Sequence, residues 1–406
     1  MSFEQAPETE PRQSAPPIRR WPLRTDVALV LGVALLACSL FPGLAVMNEL
    51  VPADSAPQRF SDSTAVITIG GQDQAPGDAE QAKVVIASYN IRHINPKSLV
   101  SNEHTWYKRR GVLVSAVLRQ SPDVIGFQEA SPKLLRDKTG SRAKRHGGRK
   151  QELSQFEDLA RRLGDPYRLT NANRHNCVNP KTKAHCVHKN NGASKGVRII
   201  YNSKTLKLIR QGAKKLPTGP GASPPRRYMA WAVFEQKQTG RQFFFADAHL
   251  DNGKDRDAGH PLMKSRVAQA KAVVAEIKAR NTDGLPAFLV GDFNSSKSFS
   301  PANGPYDVFL KAGWADPLGN YWKSSSRTSG ATVEHRINTE YSSWNGFKRK
   351  APKTSNVNGS YLDYLLMPKG TRVLEWETVV DVDAKGDFRG IIPSDHNMIR
   401  ATTYLP

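Results

Sequence analysis

A short apolar segment of this sequence ends in an acid and an amide that are two residues apart. Leu289 and Val290 lead into Gly291, Asp292, Phe293 and Asn294. Side chains at this spacing lie on the same face of a strand. A carboxylate and an amide at the end of a buried strand can bind water or a polarised phosphate, and polar groups without such a task are costly to desolvate. An Asx turn after an ordinary strand would give the same pattern.

Five further segments place an amide, a carboxylate or an imidazole beside an apolar strand. The residues are Asn90 after 84–86, Glu129 after 124–127, His249 after 243–245, Asp363 within 361–366, and Asp395 with His396 before 398–399. Hydrolysis of a phosphodiester requires a positioned water, a base, and donor or cationic groups that neutralise the charge growing on the phosphoryl oxygens. Together, these segments favour chemistry on a phosphate ester.

In order, the six segments resemble the motifs of the endonuclease/exonuclease/phosphatase superfamily, which has the fold of DNase I. Abasic-site endonucleases, bacterial sphingomyelinases and inositol polyphosphate phosphatases share this fold. The resemblance extends from about Lys83 to the C-terminus. It implies an α+β fold, a four-layer α/β/β/α sandwich of two packed, mostly antiparallel sheets with outer helices. It also implies a metal-dependent phosphoric ester hydrolase.

The resemblance assigns catalytic roles to five residues. His396 would act as general base or polarise the phosphate, because imidazole titrates near neutrality. Asp363 would orient His396 and supply charge to it. Asp292 and Asn294 would hold the attacking water and stabilise the transition state, with either Asp292 or His396 taking the proton. His249 would contact the scissile phosphate.

The resemblance also implies a metal and a phosphate subsite. Glu129 is expected to bind a hard cation through oxygen, with Asn90 and Asp395 completing the metal shell. Mg²⁺ is the expected cofactor, and Mn²⁺ or Ca²⁺ could replace it. Asn90, Arg92 and His249 are expected to bind the substrate.

The elements that position these residues follow from hydrophobic periodicity. Apolar residues at helical spacing predict helices over 106–120, 151–163 and 264–280. Runs of β-branched and aromatic residues predict strands over 84–90, 123–128, 196–201, 206–210, 229–236, 242–249, 286–291, 361–367, 372–380 and 397–404. This supply of elements can build two sheets packed face to face with helices outside.

The N-terminal part of the chain is expected to lie outside this fold. Residues 1–26 are rich in Pro, Glu and Arg and predict a disordered cytoplasmic region. Residues 27–47 carry no charge and are long enough to span a membrane. Residues 48–82 are expected to form a linker, and residues 83–406 the catalytic domain.

Three arginines (Arg19, Arg20 and Arg24) precede the apolar segment, which predicts a cytoplasmic N-terminus and an exported domain. Small residues at 43–45 and 51–53 also suit a signal-peptidase site. The domain is therefore expected to be extracytoplasmic, either anchored to the membrane or secreted after cleavage.

Two cysteines, Cys177 and Cys186, are the only pair in the expected domain. In an oxidising compartment they could form a local disulfide that pins the polar loop between them. Nearby His175, His185 and His188 leave a structural zinc site as the alternative.

The chain is strongly basic, with 59 Lys and Arg against 37 Asp and Glu and a net charge of +22. This charge favours a polyanionic partner, and nucleic acid, DNA or RNA, is the expected substrate. The N-terminal segment is the expected membrane contact, and the sequence predicts no protein partner. A sphingomyelinase-like phospholipid phosphodiesterase or a phosphoinositide phosphatase is the alternative. A module that only captures polyanions is disfavoured, because every catalytic motif residue is present.

Two basic segments, 133–150 and 323–353, bear on the substrate. The first could neutralise DNA phosphates or remain a solvated charge run. The second interleaves basic residues with Tyr341, Trp344 and Phe347, and Trp322 directly precedes it. Such a pattern suits stacking on a single strand or a lipid headgroup, and it would also suit packing of the segment on the domain.

Overall fold

The structure is a computed structural model that describes residues 83–94, 99–132, 135, 153–170, 196–219, 227–253, 260–296, 304–319 and 330–406. The predicted N-terminal regions, the Cys177 and Cys186 pair with its neighbouring histidines, and nearly all of the 133–150 segment lie outside these residues. No helix within the described ranges is long and apolar enough to span a membrane.

Strands of the described ranges form two sheets, numbered here in chain order. The seven-stranded sheet has the order β10 (Val333–Ile337), β12 (Val373–Val379), β13 (Met398–Tyr404), β1 (Lys83–Asn90), β2 (Val124–Gln128), β4 (Arg198–Asn202) and β3 (Tyr167–Leu169). The six-stranded sheet has the order β5 (Leu206–Lys215), β6 (Tyr228–Gln236), β7 (Gln242–His249), β8 (Ala287–Asp292), β11 (Asp363–Pro368) and β9 (Trp314–Ala315). The pairs β1–β2, β7–β8 and β10–β12 are parallel, and the other neighbours are antiparallel.

Helices cover the outer face of each sheet. The described helices are α1 (Trp106–Gln120), α2 (Gln155–Leu163), α3 (Pro261–Arg280) and α4 (Gly304–Lys311). Side chains of α1 and α2 share a buried cluster with β1 and β2, and those of α3 and α4 share another with β7 and β8. These layers confirm the predicted α/β/β/α sandwich.

The inner faces of the two sheets form the central core. On β7, Phe243 and Phe245 belong to this core, while Phe244 packs with the outer helices. Successive side chains of a strand point to opposite faces. Because both faces of the inner strands are buried, their sequences are continuous apolar runs rather than alternating ones.

Most predicted elements are present, with corrections at their ends. Helix α1 has the predicted bounds, whereas α2 begins at Gln155 rather than 151, because Ser154 and Glu157 form a capping box that fixes the start. Helix α3 begins three residues before the predicted 264, with Pro261 in its first turn. Strand β5 continues past the predicted end at 210, because this polar segment pairs with β6 throughout.

Four short elements were not predicted. Helix α4 has eight residues, and strands β3, β9 and β10 have three, two and five. Helix α4 and strands β3 and β9 are too short to show hydrophobic periodicity, and β10 (Val333–Ile337) is largely polar and only partly buried, so tertiary pairing decides these elements. None of them carries a predicted site residue.

Candidate active site

The sheet topology brings three predicted residues to one edge of the six-stranded sheet. Strands β7 and β8 are parallel, so His249 and Asp292 both lie at their C-terminal ends and are register partners. Strand β11 runs antiparallel to β8 and begins at the same edge, where Asp363 is opposite Asp292. Asp292 therefore lies between His249 and Asp363 on neighbouring strands.

The seven-stranded sheet delivers the other residues to the same end of the sandwich. Strand β1 ends at Asn90, beside the end of β2, and Glu129 follows β2 directly. Strand β13 is antiparallel to β1, so Asp395 and His396 precede it at this edge. Asn90 donates from Nδ2 to Asp292 Oδ2 at 2.9 Å, which joins the two sheets.

Three site residues adopt the left-handed backbone conformation. Arg92, Glu129 and Asn294 have φ angles of 55°, 58° and 49°. Each lies just beyond the end of a strand, where the chain turns. Non-glycine residues rarely adopt this conformation, and they concentrate where function requires a particular side-chain position.

Asp292 is the centre of a buried polar cluster. Its Oδ2 atom lies 3.4 Å from His249 Nε2 and 3.8 Å from His396 Nε2, in addition to the bond from Asn90. Its Oδ1 atom accepts the backbone N–H of Asn294 at 2.9 Å. Four residues that were predicted to belong to one site therefore surround the Asp292 carboxylate, and three of them, Asn90, His249 and His396, are distant from it in sequence.

His396 is held by Asp363. The distance from His396 Nδ1 to Asp363 Oδ2 is 2.8 Å, and both side chains are buried. Asp363 is fixed in turn, because Ser343 Oγ accepts the backbone N–H groups of Leu362 and Asp363. The Oδ1 atom of Asp363 is buried without a hydrogen-bond partner among the described residues. The pair has the geometry in which a carboxylate orients an imidazole.

Burial and neighbouring charges shift the pKa values of His396 and Asp292. Burial opposes a charge on His396, but the Asp363 and Asp292 carboxylates outweigh burial and raise the pKa of His396 to about 10. Burial and the charge of Asp363 raise the pKa of Asp292 to about 7. At neutral pH His396 is therefore protonated, and Asp292 is poised to exchange a proton.

His249 has a cationic neighbour that was not predicted from the sequence. Arg227 Nη1 lies 3.0 Å from His249 Nε2 and 3.1 Å from Nδ1, and Arg227 Nε pairs with Asp251 Oδ1 at 3.3 Å. Burial and the Arg227 charge hold the pKa of His249 well below its usual range. His249 is therefore neutral. Arginines before an apolar strand carry no motif signal, so only the fold reveals the role of Arg227.

Glu129 is held by His93, a partner that was also not predicted from the sequence. Its Oε2 atom accepts the His93 backbone N–H at 3.0 Å and lies 2.8 Å from His93 Nδ1. Burial opposes a charge on Glu129, but the His93 hydrogen bond outweighs burial and holds the pKa of Glu129 well below its usual range. Arg92 lies beside this group, bonded to Glu103 at 3.2 Å and paired with Asp395 at 3.5 Å.

The carboxylates of Glu129 and Asp395 fit a divalent cation. Glu129 Oε1 has no protein hydrogen-bond partner among the described residues, and burial together with the Glu129 charge raises the pKa of Asp395. A hard cation prefers such oxygen ligands and would relieve their mutual repulsion. Asp292, Asp363 and His396 also bring ligand atoms within 4.8 Å of one another. We do not assign the cation to this second group, because His396 Nδ1 is already hydrogen-bonded to Asp363.

Asn90 is hydrogen-bonded at both ends of its side-chain amide. Its amide nitrogen donates to Asp292, and its Oδ1 accepts the Arg92 backbone N–H at 3.1 Å. Both ends of the amide are therefore used within the protein. In this structure Asn90 orients Asp292, and its role as a metal ligand stays a prediction.

The clustered residues open into a cleft of about 610 Å³. Its polar lining includes six predicted site residues (Arg92, Glu129, Asp292, Asn294, Asp395 and His396) together with Asn252 and Lys348. Its apolar lining consists of Val100, Trp344, Phe347, Pro352 and Leu362. The cleft can thus hold a charged group and a flat or apolar group together.

A buried catalytic cluster at one end of two stacked sheets defines a phosphoesterase of the DNase I-like fold. The model of the endonuclease/exonuclease/phosphatase family matches residues 87–396. The chain therefore belongs to this family and is a phosphoric ester hydrolase, a class whose members generally depend on divalent metal ions.

Solved structures show the same fold at low sequence identity. An endonuclease/exonuclease/phosphatase family protein from Bacteroides thetaiotaomicron is 20% identical with a TM-score of 0.55, over 80% of this chain and 98% of its own. A mannosyl-6-phosphatase from the same organism is 19% identical with a TM-score of 0.52, over 79% and 100%. Sphingomyelinase C from Streptomyces griseocarneus is 14% identical with a TM-score of 0.50, over 79% and 99%. No curated protein sequence gives a significant match.

Proposed function

We propose that this protein is a Mg²⁺-dependent nuclease that hydrolyses phosphodiester bonds of extracellular nucleic acid. The Asp292, Asp363 and His396 cluster supports the hydrolytic chemistry. The net charge of +22 carries the choice of substrate, because a basic protein concentrates polyanions at its surface. The cleft contributes Arg92 and Lys348 as cations beside the catalytic cluster.

Water attack is divided among the clustered residues. Asp292, with a pKa of about 7, takes the proton of the attacking water, and Asn294 fixes the Asp292 carboxylate through its backbone N–H. His396 stays protonated against Asp363 and donates to a phosphoryl oxygen, where charge grows in the transition state. Arg227 supplies positive charge beside His249.

A divalent ion held by Glu129 and Asp395 would neutralise phosphoryl charge when bound. His93 keeps Glu129 in position for this task through two contacts to Oε2. Mn²⁺ or Ca²⁺ would use the same oxygen ligands. The proposal takes Mg²⁺ as the natural ion, since it keeps waters and meets substrate phosphates directly.

A phospholipid phosphodiesterase is the second candidate. The predicted apolar segment over 27–47 would hold the enzyme at a membrane, and the similar sphingomyelinase C acts, by its name, on a lipid. Membrane-gripping surfaces are large contiguous apolar patches. At the cleft, the exposed large apolar side chains of the described residues are Val100 and Trp344, which is a small area.

Export of the domain is part of the proposal. The arginines before the apolar segment favour a cytoplasmic N-terminus and an extracytoplasmic domain. Residues 27–47 either anchor the chain or are removed as a signal peptide. Protease accessibility of the domain in intact cells, compared with lysed cells, tests this orientation.

The deciding experiment compares substrates for the purified full-length protein in mild detergent. Single-stranded DNA, supercoiled plasmid, sphingomyelin vesicles and mannose 6-phosphate are each offered with Mg²⁺ and with EDTA. His396→Ala serves as the catalytic control. We expect Mg²⁺-dependent cleavage of DNA that EDTA and His396→Ala abolish. Turnover of only the vesicles or the sugar phosphate would reject the nuclease assignment.

A further inference from the structure

Trp344 is the largest exposed apolar side chain among the described residues, with 44% of its surface accessible. It lines the catalytic cleft together with His396. Its aromatic neighbours in sequence differ, because Tyr341 and Phe347 are buried. Packing on the domain therefore explains those two rings but leaves Trp344 without a structural role.

The backbone around Trp344 is tied to the catalytic loop. Trp344 forms an antiparallel bridge with His396, which places their Cα atoms about 5 Å apart. Fully buried Asn345 donates its backbone N–H to the Asp395 carbonyl at 2.7 Å and its Nδ2 to the Ser394 carbonyl at 3.0 Å. On the other side of the bridge, Asn397 donates its backbone N–H to the Ser343 carbonyl at 2.7 Å, so the position of Trp344 relative to His396 is fixed from both sides.

The indole ring rests against a glycine. Gly346 has a φ angle of 59°, and a Cβ atom there would lie 2.8 Å from Trp344 Cζ2. Any side chain at this position would displace the ring. The glycine thus supports the ring from one side while much of it remains accessible from the cleft. Rigid aromatic surfaces of this kind bind flat groups at low entropic cost.

We propose that Trp344 stacks on an unpaired base next to the scissile phosphate, so that the enzyme selects single-stranded nucleic acid. This inference rests on the proposed nuclease function. The bridge to His396 sets the ring within one nucleotide of the reacting phosphate, and Arg92 and Lys348 lie in the same cleft for the phosphate groups. Bases within a duplex are already stacked on each other and cannot present a face to the ring.

A bilayer is a poorer occupant for this surface. The ring is held beside the catalytic loop by the paired backbone, and residues that insert into membranes form broad apolar faces. A single tryptophan ring that lies against Gly346 offers a surface the size of one planar group, such as a base. Loss of vesicle hydrolysis in a Trp344 variant would nevertheless assign the ring to lipid.

The test removes the ring and the base separately. Steady-state kinetics of the full-length protein are measured on a single-stranded oligothymidylate and on a strand of the same length with abasic sugars. Trp344→Ala should raise KM for the oligothymidylate about 10-fold, within the roughly 5- to 150-fold range of base stacking, and leave kcat within about twofold. KM for the abasic strand should not change. Trp344→Phe should recover most of the loss, because it retains an aromatic face.

Leu118→Ala, an exposed apolar residue on α1, is the matched control and should behave as the parent protein. An equal effect of Trp344→Ala on both strands, or a loss confined to sphingomyelin vesicles, would overturn the stacking role while leaving nuclease activity established. A parent protein that cleaves neither these strands nor duplex DNA would remove the proposed function itself. Equal kcat/KM of the parent on single-stranded and duplex DNA would refute the selection.

Discussion

At the scale of single residues, the site depends on one carboxylate that determines the protonation of two other side chains. The charge of Asp363 raises the pKa of both His396 and Asp292. Without that charge, burial would favour a neutral imidazole and Asp292 would lose a proton more easily. The proton donor His396 and the base Asp292 would then no longer have the protonation states that hydrolysis needs near neutral pH.

Asp363→Asn tests this dependence while keeping the side-chain volume. We expect kcat to fall about 10²- to 10⁴-fold, because His396 loses both its orienting partner and the charge that keeps it protonated. Asp381→Asn, an exposed carboxylate paired with Arg389, is the control and should retain parental kcat. Parental kcat in Asp363→Asn, with parental thermal stability, would exclude the proposed pairing.

At the scale of elements, the two sheets approach closely at β2. Gly126 has Asp247 Cγ and Val290 Cγ2 within 2.7 Å of the position that a Cβ would occupy. Asp247 and Val290 belong to β7 and β8 of the other sheet. The glycine therefore sets the spacing of the strands that end in Glu129, His249 and Asp292.

Gly126→Ala should lower the free energy of unfolding by about 1–3 kcal/mol, since overpacking forces the sheets apart. Gly111→Ala on α1 is the matched control, because no atom lies within 4 Å of its Cβ position. That substitution should raise stability by about 0.5–1 kcal/mol through helix propensity. Urea unfolding measures both. Equal effects of the two substitutions would contradict the close approach of the sheets.

A buried acid lies at the same interface. Gln128 Nε2 donates to Asp247 Oδ1 at 2.7 Å, while Asp247 Oδ2 and Gln128 Oε1 are buried without partners among the described residues. Burial raises the pKa of Asp247 well above its usual range, and the charge of Asp292 adds to the rise. Folding therefore favours the neutral form of Asp247.

This neutral acid predicts a pH-dependent loss of stability. The contribution of Asp247 is fully present below its unfolded pKa of about 4 and is lost as pH rises toward the higher folded value. Asp247→Asn removes this titration and can pair its amide with Gln128. The free energy of unfolding of the variant should match that of the parent near pH 4 and exceed it near pH 8, where the parent has lost the contribution of neutral Asp247. Urea unfolding across this range is the measurement, and a constant difference between the proteins would disprove the titration.

Long elements and motif residues could be predicted from the sequence, whereas local partners could not. Helix α1 and strand β7 have strong apolar patterns, so their bounds follow from the chain itself. Asp292 and His396 follow strands in recognisable motifs. Arg227 and His93 act through neighbours that only strand register brings close. The exposure of Trp344 was likewise unpredictable, because a buried loop ring would show the same sequence pattern.

At the scale of the whole molecule, the charge of the chain determines how it meets a polyanion. A net charge of +22 attracts nucleic acid from a distance, and salt screens this attraction. Each phosphate neutralised by a cation releases counterions, so affinity for a single strand falls with salt at a slope of about −0.7 per contact. The slope therefore measures how many phosphates of the bound strand contact cationic side chains of the protein.

The two cleft cations, Arg92 and Lys348, would alone give a slope of about −1.4 for single-stranded DNA. KM for an oligothymidylate should then rise at least about sevenfold between 50 and 200 mM salt, by the same relation. Lys348→Gln should make the slope shallower by about 0.7 without changing kcat, because it removes one phosphate contact. A steeper parental slope would measure contacts from cations outside the cleft. A KM that is independent of salt would contradict recognition through charge, and would leave the cleft suited to a small phosphate ester instead of a polyanion.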